Sequence, residues 1–345
     1  MADTVSKAQT VELIDMPLLH PGSDFQRWRD RQGNRLIQWI SRQKARRWAE
    51  MMDRKQHQVL AESVRAFRDA RAKEAAVKPL LMDDAFRDTT REPVVDGLGE
   101  WISAKTAPDD AAILYVPGGA FIMKRSDRMT ALAARLARMS EARLRIADYR
   151  LAPEHPCPAA VDDVESALLG LYDDGYDPSK VVVACDSAGG SIAMAVLLRL
   201  KARGEPMPAG LAMFSPWLDL ALTGYSLLSS GLSGVSPFTM EMTALCARLY
   251  LQDKVLAVDP DASPLFGDLS GLPPILVHVS QEDSFFDDSK LLAQRIQDVD
   301  GKMLMRVWPM GGHVWEHDFT VDADQSIMET ARFIRGRFEG AEMLY

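Results

Sequence analysis

Residues 181–191, which read V-V-V-A-C-D-S-A-G-G-S, constrain the fold of this chain more than any other stretch. The three valines at the start form the short apolar run that is typical of a strand buried on both faces. Residues 192–200, directly after the stretch, carry apolar residues at helical spacing. A strand is therefore expected to end where a helix begins, with Ser187 at the corner. Such a turn presents a serine at the carboxyl end of a parallel sheet.

The turn has the form of a nucleophile elbow, in which small residues two positions before and after the serine allow close backbone contacts. Those positions hold Cys185 and Gly189. Cysteine departs from the usual glycine at the first position but is still small. The N–H group of Ala188, at the start of the predicted helix, could stabilise an oxyanion. An ordinary strand-to-helix turn is the alternative, so the interpretation depends on other parts of the chain.

Strands and helices alternate along the chain from about residue 88. Such alternation is typical of an α/β fold with a doubly wound, mainly parallel sheet, in which ligands bind at the carboxyl ends of the strands. The predicted strands are 111–116, 142–148, the strand that leads to Ser187, 210–214, 274–279 and 303–308. The predicted helices are 127–139, 159–172, 239–251, one that runs through residue 296 and one at the end of the chain.

Composition limits the class of protein. A chain of 345 residues fits one α/β domain with an insertion, or two domains. It has no apolar run of about eighteen residues that could span a bilayer, and its net charge of −9 argues against nucleic-acid binding. Residues 1–15 lack the pattern of a signal peptide, which predicts a cytoplasmic protein. The three cysteines, at 157, 185 and 246, predict reduced thiols, with neither a disulfide framework nor a metal site.

The N-terminal segment is basic, although the chain as a whole is acidic. Residues 1–80 contain 16 Lys and Arg against 10 Asp and Glu. Between residues 24 and 77, the apolar stripes that include Trp48 and Leu60 predict two amphipathic helices. We expect these helices to pack on the rest of the chain, with binding to an anionic membrane as the alternative.

The loop at residues 117–121, P-G-G-A-F, follows the strand expected beside the elbow strand. Its small residues, Gly118, Gly119 and Ala120, allow the backbone to approach a ligand and to direct N–H groups at it. An oxyanion hole takes one N–H from such a loop and one from the residue after the nucleophile, here Ala188. The loop is therefore predicted to form an oxyanion hole, with a simple tight turn as the alternative.

A serine nucleophile needs a base, and the base needs a carboxylate that orients it. His313 follows the last predicted strand and Asp283 follows the strand before it, which gives the chain order serine, acid, histidine. His278 lies inside a predicted strand and is expected to be a core residue. Neighbouring residues leave alternatives open, which are Glu282, Asp287 and Asp288 for the acid and His317 for the base.

Several motifs together resemble the hormone-sensitive lipase family of α/β-hydrolases, a family of bacterial carboxylesterases that is also related to epsilon-lactone hydrolases. The resemblance covers roughly residues 88–338. Of the motifs that carry the resemblance, the one at residues 149–163 is highly specific for this family. The motifs are Y-V-P-G-G-A-F at 115–121, Y-R-L-A-P-E-H-P-C-P-A-A-V-D-D at 149–163, C-D-S-A-G-G at 185–190, S-P-W-L-D-L at 215–220, and D-S-F-F-D-D at 283–288 followed by H-V-W at 313–315.

The resemblance implies roles for individual residues. It makes Ser187 the nucleophile, Asp283 the acid and His313 the base, and the acid motif of the family selects Asp283 over its neighbour Glu282. Three departures from the family are Pro117 for a histidine, Ala120 for a third glycine and Cys185 for a glycine. The implied oxyanion hole consists of Gly118, Gly119, Ala120 and Ala188. The expected substrate-binding residues are Phe121, Met123, Trp217, Phe285 and Phe286.

The resemblance also implies the domain organisation. Residues 1–87 would form an N-terminal helical cap segment, and residues 88–345 the α/β-hydrolase catalytic domain. Residues 220–251 would contribute to the cap. The sequence therefore predicts an α/β-hydrolase fold with a helical cap over the site.

The predicted function is that of a serine carboxylesterase, which hydrolyses small to medium uncharged esters through an acyl-enzyme. No metal or organic cofactor is implied, and the expected partner is a small-molecule ester, with no nucleic acid and no stable membrane insertion. A homodimer, and activity on lactones, amides or esters of tertiary alcohols, are left open. The alternative is a catalytically weak ligand-binding protein on the same scaffold, similar to the gibberellin receptor, which lacks a working histidine.

Overall fold

The computed structural model describes residues 11–15, 24–54, 57–74, 79–94, 98–233, 236, 238–252 and 254–341. Residues 1–10, which make up most of the N-terminal segment that lacks a signal-peptide pattern, lie outside these ranges. The strands are β1 (Val11–Asp15), β2 (Thr89–Pro93), β3 (Gly99–Ala104), β4 (Ala112–Val116), β5 (Arg143–Ala147), β6 (Val181–Asp186), β7 (Gly210–Phe214), β8 (Ile275–Ser280) and β9 (Met303–Trp308). The α-helices are α1 (Asp24–Asp53), α2 (His57–Glu74), α3 (Pro79–Ala85), α4 (Asp127–Ser140), α5 (Ala159–Asp173), α6 (Ala188–Arg203), α7 (Tyr225–Ser233), α8 (Met240–Leu251), α9 (Phe286–Asp298) and α10 (Val321–Phe338).

The strands form one nine-stranded sheet in the order β1-β9-β8-β7-β6-β4-β5-β3-β2. Only β2 with β3 and β3 with β5 pair antiparallel among the described strands. Strand β6 lies in the middle, between β4 and β7, so its carboxyl end opens at the centre of the sheet edge. The predicted α/β fold with a mainly parallel sheet is confirmed, and Ser187 follows the central strand directly.

The valines of β6 are buried on both faces of the sheet, as the sequence indicates. Side chains on a strand alternate between the two faces of the sheet. Val181 and Val183 belong to one hydrophobic core, and Val182 belongs to a second core on the opposite face. Every residue of β6 is buried. Helices therefore cover both faces, and neither face of the strand tolerates a polar residue without a partner.

The expected helical cap segment at residues 1–87 is only partly helical. Strand β1 pairs parallel with β9 and extends the sheet at its edge, so residues 11–15 belong to the sheet and not to a cap. Strands β2 and β3 were also not expected. A short strand gains its stability from hydrogen bonds with a neighbour, and the neighbour of β1 begins at Met303, far outside any local sequence window.

The two predicted amphipathic helices, α1 and α2, pack on the rest of the chain. Trp48 is 1% exposed, and its Nε1 donates to Ser63 Oγ at 2.8 Å, which joins the two helices. Gln38 Nε2 donates to the carbonyl oxygens of Gly231 at 2.9 Å and Ser236 at 2.6 Å. Within the described residues, no helix is both long and apolar enough to cross a membrane.

Candidate active site

Ser187 lies between β6 and α6 with φ 51° and ψ −124°. This backbone conformation is strained for a residue other than glycine and is typical of functional sites. A Cβ at position 189 would lie 2.2 Å from the carbonyl oxygen of Val116, so Gly189 allows α6 to start directly against β4. Cys185 is an extended strand residue in β6 and is fully buried. The turn therefore requires glycine after the serine but not before it.

Ser187, His313 and Asp283 form a continuous chain of polar contacts. Ser187 Oγ lies 2.8 Å from His313 Nε2. His313 Nδ1 lies 3.1 Å and 3.2 Å from the two carboxylate oxygens of Asp283. Asp283 can therefore hold the imidazole with its proton on Nδ1, which leaves Nε2 to accept the proton of the serine hydroxyl.

The other candidate acids bond elsewhere. Asp287 accepts a hydrogen bond from the backbone N–H of the second residue of α7. Asp288 accepts from two backbone N–H groups of the 215–220 motif, and burial raises its pKa well above the ordinary value. Glu282 is half-buried, and its backbone N–H donates to the Ser280 hydroxyl. Of the four candidate acids, Asp283 is the one that contacts the imidazole.

The loop that carries His313 is held by the ends of two central strands. Ser280 Oγ, at the end of β8, donates to the carbonyl oxygen of Gly311 at 2.6 Å. The backbone N–H of Val314 donates to Ser215 Oγ, just after β7, at 3.1 Å. These contacts on both sides of His313 fix the position of the imidazole at the carboxyl edge of the sheet.

Not every backbone N–H group of the predicted oxyanion hole is free to bind an oxyanion. The backbone N–H of Gly118 donates to Asp186 Oδ1 at 3.0 Å, so the prediction of Gly118 as a donor is wrong. Within the described part of the chain, the N–H groups of Gly119, Ala120 and Ala188 have no acceptor. Gly118 instead connects the loop to the strand that carries the nucleophile, because Asp186 is the last residue of β6.

Two tyrosines hold the loop in a way that was not predicted. Tyr149 Oη donates to the carbonyl oxygens of Pro117 at 2.8 Å and Gly118 at 3.1 Å. Tyr115 Oη donates to Asp186 Oδ1 at 2.6 Å. Burial raises the pKa of both tyrosines, so the hydroxyls stay protonated and remain donors. The signal was present in the sequence, since Tyr149 and Tyr115 begin two of the family motifs.

Of three further titratable residues, Glu316 and His278 are buried and His317 is half-buried. His317, the alternative base, lies 3.6 Å from Asp186 Oδ2, and burial lowers its pKa. Glu316 accepts from the Ser326 hydroxyl at 2.7 Å, and burial raises its pKa to about 8. His278 is a core residue, as predicted, and burial lowers its pKa to about 3. Within the described residues, no three His, Cys, Asp or Glu side chains are grouped as ligands for a metal ion.

Three of the five predicted substrate-binding residues form a buried aromatic row. The rings of Trp217 and Phe285 stack with centroids 5.1 Å apart. Phe121 lies 5.2 Å from Trp217 and stacks on Tyr250 at 4.1 Å. Phe285 also meets the imidazole of His313 at 5.2 Å. The row therefore connects Phe121, the last residue of the oxyanion loop, with the histidine.

The other two predicted substrate-binding residues are half-buried and are not members of this row. Phe286 is half-buried, and the ammonium group of Lys290 lies 5.5 Å above its ring. Met123 lines a surface pocket of about 360 Å³ beside Pro117 and Tyr149. The structure thus distinguishes Phe285 from its neighbour, a choice that the adjacent phenylalanines in the sequence left open.

Sequence reasoning missed Phe238 at the site. This residue precedes α8, in the 220–251 segment, and its ring lies 4.8 Å from the imidazole of His313. Its backbone N–H donates to the buried hydroxyl of Ser236 at 3.1 Å. No motif includes Phe238, so only the placement of the segment over the sheet edge identifies it.

Comparison with known proteins agrees with this geometry. A family model described as alpha/beta hydrolase fold matches residues 113–317. An esterase from Acinetobacter venetianus is 36% identical over 210 residues, which cover 61% of this chain and 69% of the relative. An acetyl-hydrolase from Streptomyces hygroscopicus is 32% identical over 241 residues, which cover 68% of this chain and 79% of the relative. The crystal structure of an esterase from the bacterial hormone-sensitive lipase family has a TM-score of 0.70 and 31% identity, and the match covers 76% of this chain and 100% of that structure. With its serine elbow, its histidine loop and these relatives, the chain belongs to the hormone-sensitive lipase family of carboxylesterases, within the α/β-hydrolase fold.

Proposed function

We propose that this carboxylesterase uses Ser187 as nucleophile, His313 as general base and Asp283 as the acid that orients the base. The observation that carries the proposal is the 2.8 Å contact between Ser187 Oγ and His313 Nε2, continued by the contact of His313 with Asp283. This arrangement supplies an activated hydroxyl at the carboxyl edge of the sheet.

Each chemical step uses groups of this chain. His313 Nε2 accepts the hydroxyl proton as Ser187 Oγ adds to the ester carbonyl carbon. The N–H groups of Gly119, Ala120 and Ala188 stabilise the resulting oxyanion. The C–O bond to the alcohol then breaks, and the proton on His313 passes to the departing oxygen. Water, activated by His313, hydrolyses the ester of Ser187 and restores the free enzyme.

The substrate class that fits the site is a small to medium uncharged ester. The row that includes Phe121, Trp217 and Phe285 is apolar and lies beside the triad. A charged acyl group placed there would lose its hydration without gaining a partner. Lactones and amides can react by the same steps, so they belong in the substrate comparison.

Helices α1 and α2, together with residues 220–251, form the cap in this proposal. Arg42 Nε lies 3.4 Å from Glu241, and Arg248 lies 2.7 Å from Asp53, so ion pairs join the two parts. Phe238, from the second part, reaches His313. A cap of this kind would form one wall of the acyl or alcohol pocket and limit the access of water.

Esters of tertiary alcohols form a second candidate substrate class. The loop sequence G-G-A-F at residues 118–121 resembles loops of hydrolases that accept such esters, and Ala120 has a left-handed φ of 50°. Glycine adopts this conformation without strain, so Ala120→Gly would keep the loop and remove one methyl group. The test is kcat/KM for tert-butyl acetate against n-butyl acetate in both proteins. A tertiary ester rate at background, with normal n-butyl turnover, would refute this substrate class.

We further propose that the protein is cytoplasmic and forms a homodimer. A cytoplasmic protein is supported by the three cysteines, Cys157, Cys185 and Cys246, which are all free and buried. A homodimer can be tested by measuring the mass of the full chain in solution by light scattering. The same preparation, mixed with nucleic acid or with vesicles, tests the expected lack of binding to either.

Turnover and covalent labelling together test the proposed function. We expect hydrolysis of p-nitrophenyl esters from acetate to octanoate, with a preference for shorter acyl chains. Diethyl p-nitrophenyl phosphate should add one phosphoryl group per chain, on the peptide that contains Ser187, and Ser187→Ala should abolish both signals. A folded wild-type protein without turnover or labelling would favour the ligand-binding alternative.

A further inference from the structure

The oxyanion loop of this chain has an unusual conformation after its first glycine. Gly119, Ala120 and Phe121 have φ values of 116°, 50° and 64°. Two of these residues carry a Cβ, and left-handed backbone costs free energy for such residues. Asp186 and Tyr149 bond only to Pro117 and Gly118 within this loop. The second half of the loop therefore needs another anchor.

That anchor is Arg68, a residue of α2. Its side chain is 5% exposed. The guanidinium Nε donates to the carbonyl oxygen of Ile122, and Nη2 donates to the carbonyl oxygen of Ala152. The backbone N–H of Ala152 donates in turn to the carbonyl oxygen of Phe121 at 3.0 Å. One side chain from the N-terminal segment thus holds the end of the oxyanion loop and the segment paired with it.

The buried positive charge of Arg68 is paired with the carboxylate of Glu154. Nη1 and Nη2 each donate to one carboxylate oxygen of Glu154 at 2.8 Å. This bidentate geometry offsets the cost of removing the guanidinium from water. It also fixes the plane of the guanidinium, so the remaining N–H groups point in defined directions.

The carbonyl of Ile122 belongs to the turn that carries the oxyanion donors. The N–H groups of Ile122 and Met123 donate to the carbonyl oxygen of Gly119 at 3.1 Å and 2.8 Å. A rotation of the Ile122 peptide would therefore disturb this turn and the direction of the Gly119 and Ala120 N–H groups. Oxyanion donors contribute only when they point at the place where the charge develops.

We propose that Arg68 is a positioning residue for the oxyanion loop, through which the N-terminal helices set the reactivity of Ser187. The inference rests on the proposed function of the loop as an oxyanion hole. Pro117 occupies the position where the family has a histidine. Hydrogen bonds from Arg68, which lies outside the catalytic domain, supply part of the anchoring that this loop needs. The N-terminal segment is then required for catalysis itself, in addition to covering the site.

The experiment compares Arg68→Gln and Arg68→Lys with two control variants of the same helix. Arg65→Gln removes an arginine that also pairs with Glu154, at 3.5 Å, but is 58% exposed. Ser63→Ala removes the hydrogen bond from Trp48 and weakens the packing of α1 on α2 without contact to the loop. Thermal unfolding of each protein measures the loss of stability separately from the loss of activity.

Arg68→Gln should lower kcat for p-nitrophenyl acetate by about 10- to 100-fold, because a small misplacement of catalytic groups is enough for such a loss. KM should change by less than about threefold, since the acyl pocket is intact. An aryl trifluoromethyl ketone adds to the serine and leaves an oxyanion in the hole, so its Ki should rise in parallel with the loss of kcat/KM. Arg68→Lys keeps the charge but lacks the planar fork, and should fall between wild type and Arg68→Gln. Both control variants should keep wild-type kcat.

Amide hydrogen exchange gives a readout that does not depend on turnover. The peptide that spans residues 117–125 should exchange faster in Arg68→Gln and Arg68→Lys than in the controls. Wild-type kcat and unchanged exchange in the Arg68 variants would overturn the positioning role, as would an equal loss of kcat in Ser63→Ala. If the wild-type protein lacks turnover and labelling, the proposed function fails, and hydrogen exchange still decides whether Arg68 positions the loop.

Discussion

The ring of Phe238 meets the imidazole of His313 edge on, with centroids 4.8 Å apart and ring planes at 84°. Phe285 contacts the same imidazole at 5.2 Å, also close to edge on. The imidazole therefore packs against one aromatic residue from the 220–251 segment and one from the loop after β8, and these two rings lie 6.1 Å from each other. These two ring contacts limit the positions that the imidazole can adopt and reduce its contact with water on that side.

Phe238→Ala should lower kcat/KM for p-nitrophenyl butyrate by about 2- to 10-fold, the effect expected for loss of one edge-on aromatic contact. Phe238→Leu is the matched control, because it keeps apolar bulk without the ring. Its kcat/KM should lie between the values for wild type and Phe238→Ala. Steady-state kinetics with acetate and butyrate esters measures the effect. Kinetics of Phe238→Ala equal to wild type for both esters would contradict a role for this contact.

Asp283→Asn should lower kcat by about 10³- to 10⁴-fold, because the neutral amide no longer stabilises the imidazolium or fixes the required tautomer. Glu282→Gln, at the adjacent position, should stay within about twofold of wild type, the range expected for a polar change away from the triad. Single-turnover measurement of p-nitrophenol release compares the two variants. A larger loss in Glu282→Gln would mean that the acid is assigned to the wrong residue.

Gly189→Ala should destabilise the protein by at least about 3 kcal/mol, since overpacking is severe where the neighbour is backbone. The new Cβ would lie 2.2 Å from the carbonyl oxygen of Val116. Cys185→Gly, which restores the usual motif, should lower the free energy of unfolding by about 1–2 kcal/mol and leave kcat nearly unchanged. Urea unfolding measures both variants, and a Gly189→Ala protein as stable as wild type would contradict the close packing.

Glu316→Gln should stabilise the protein at pH 9 but not at pH 5. Burial raises the pKa of Glu316 from 4.5 in an ordinary environment to about 8, so the folded state holds a proton that the unfolded state has lost between these pH values. The free energy of unfolding of the wild type therefore falls as pH rises across this window, by up to about 1.4 kcal/mol per pH unit from this group. Glutamine carries no such proton. The difference in free energy of unfolding between the two proteins should grow from pH 5 to pH 8 and then level off. A difference that stays constant with pH would contradict the raised pKa of Glu316.

Much of the α/β architecture is readable from the sequence. Strands β7 and β9 have the predicted bounds, and the strand, serine and helix at the elbow lie where the pattern placed them. Buried parallel strands are continuous apolar runs and surface helices are amphipathic, so both leave a local signal. Strands β1 and β2 leave a weaker signal because they lie at the two edges of the sheet.

The site shows the same division between local and distant information. Ser187, Asp283 and His313 follow the carboxyl ends of β6, β8 and β9. Each position is a local property of one strand end, and together these positions predicted all three residues at one edge of the sheet. The residues alone left the acid open, and the choice of Asp283 came from the family motif. Its contact with the imidazole is a tertiary feature.

The sequence by itself determined the buried parallel strands β4 to β9, the elbow and the set of candidate groups, because periodicity, turn residues and motifs act over a few neighbouring positions. Only the tertiary structure decided that Gly118 donates to Asp186, that the ring of Phe238 contacts His313 and that Arg68 donates to Ile122. These contacts join residues that are far apart in the chain, and each depends on direction and burial. A hydrogen bond or ring contact of this kind exists only after packing brings the segments together, so no local pattern encodes it.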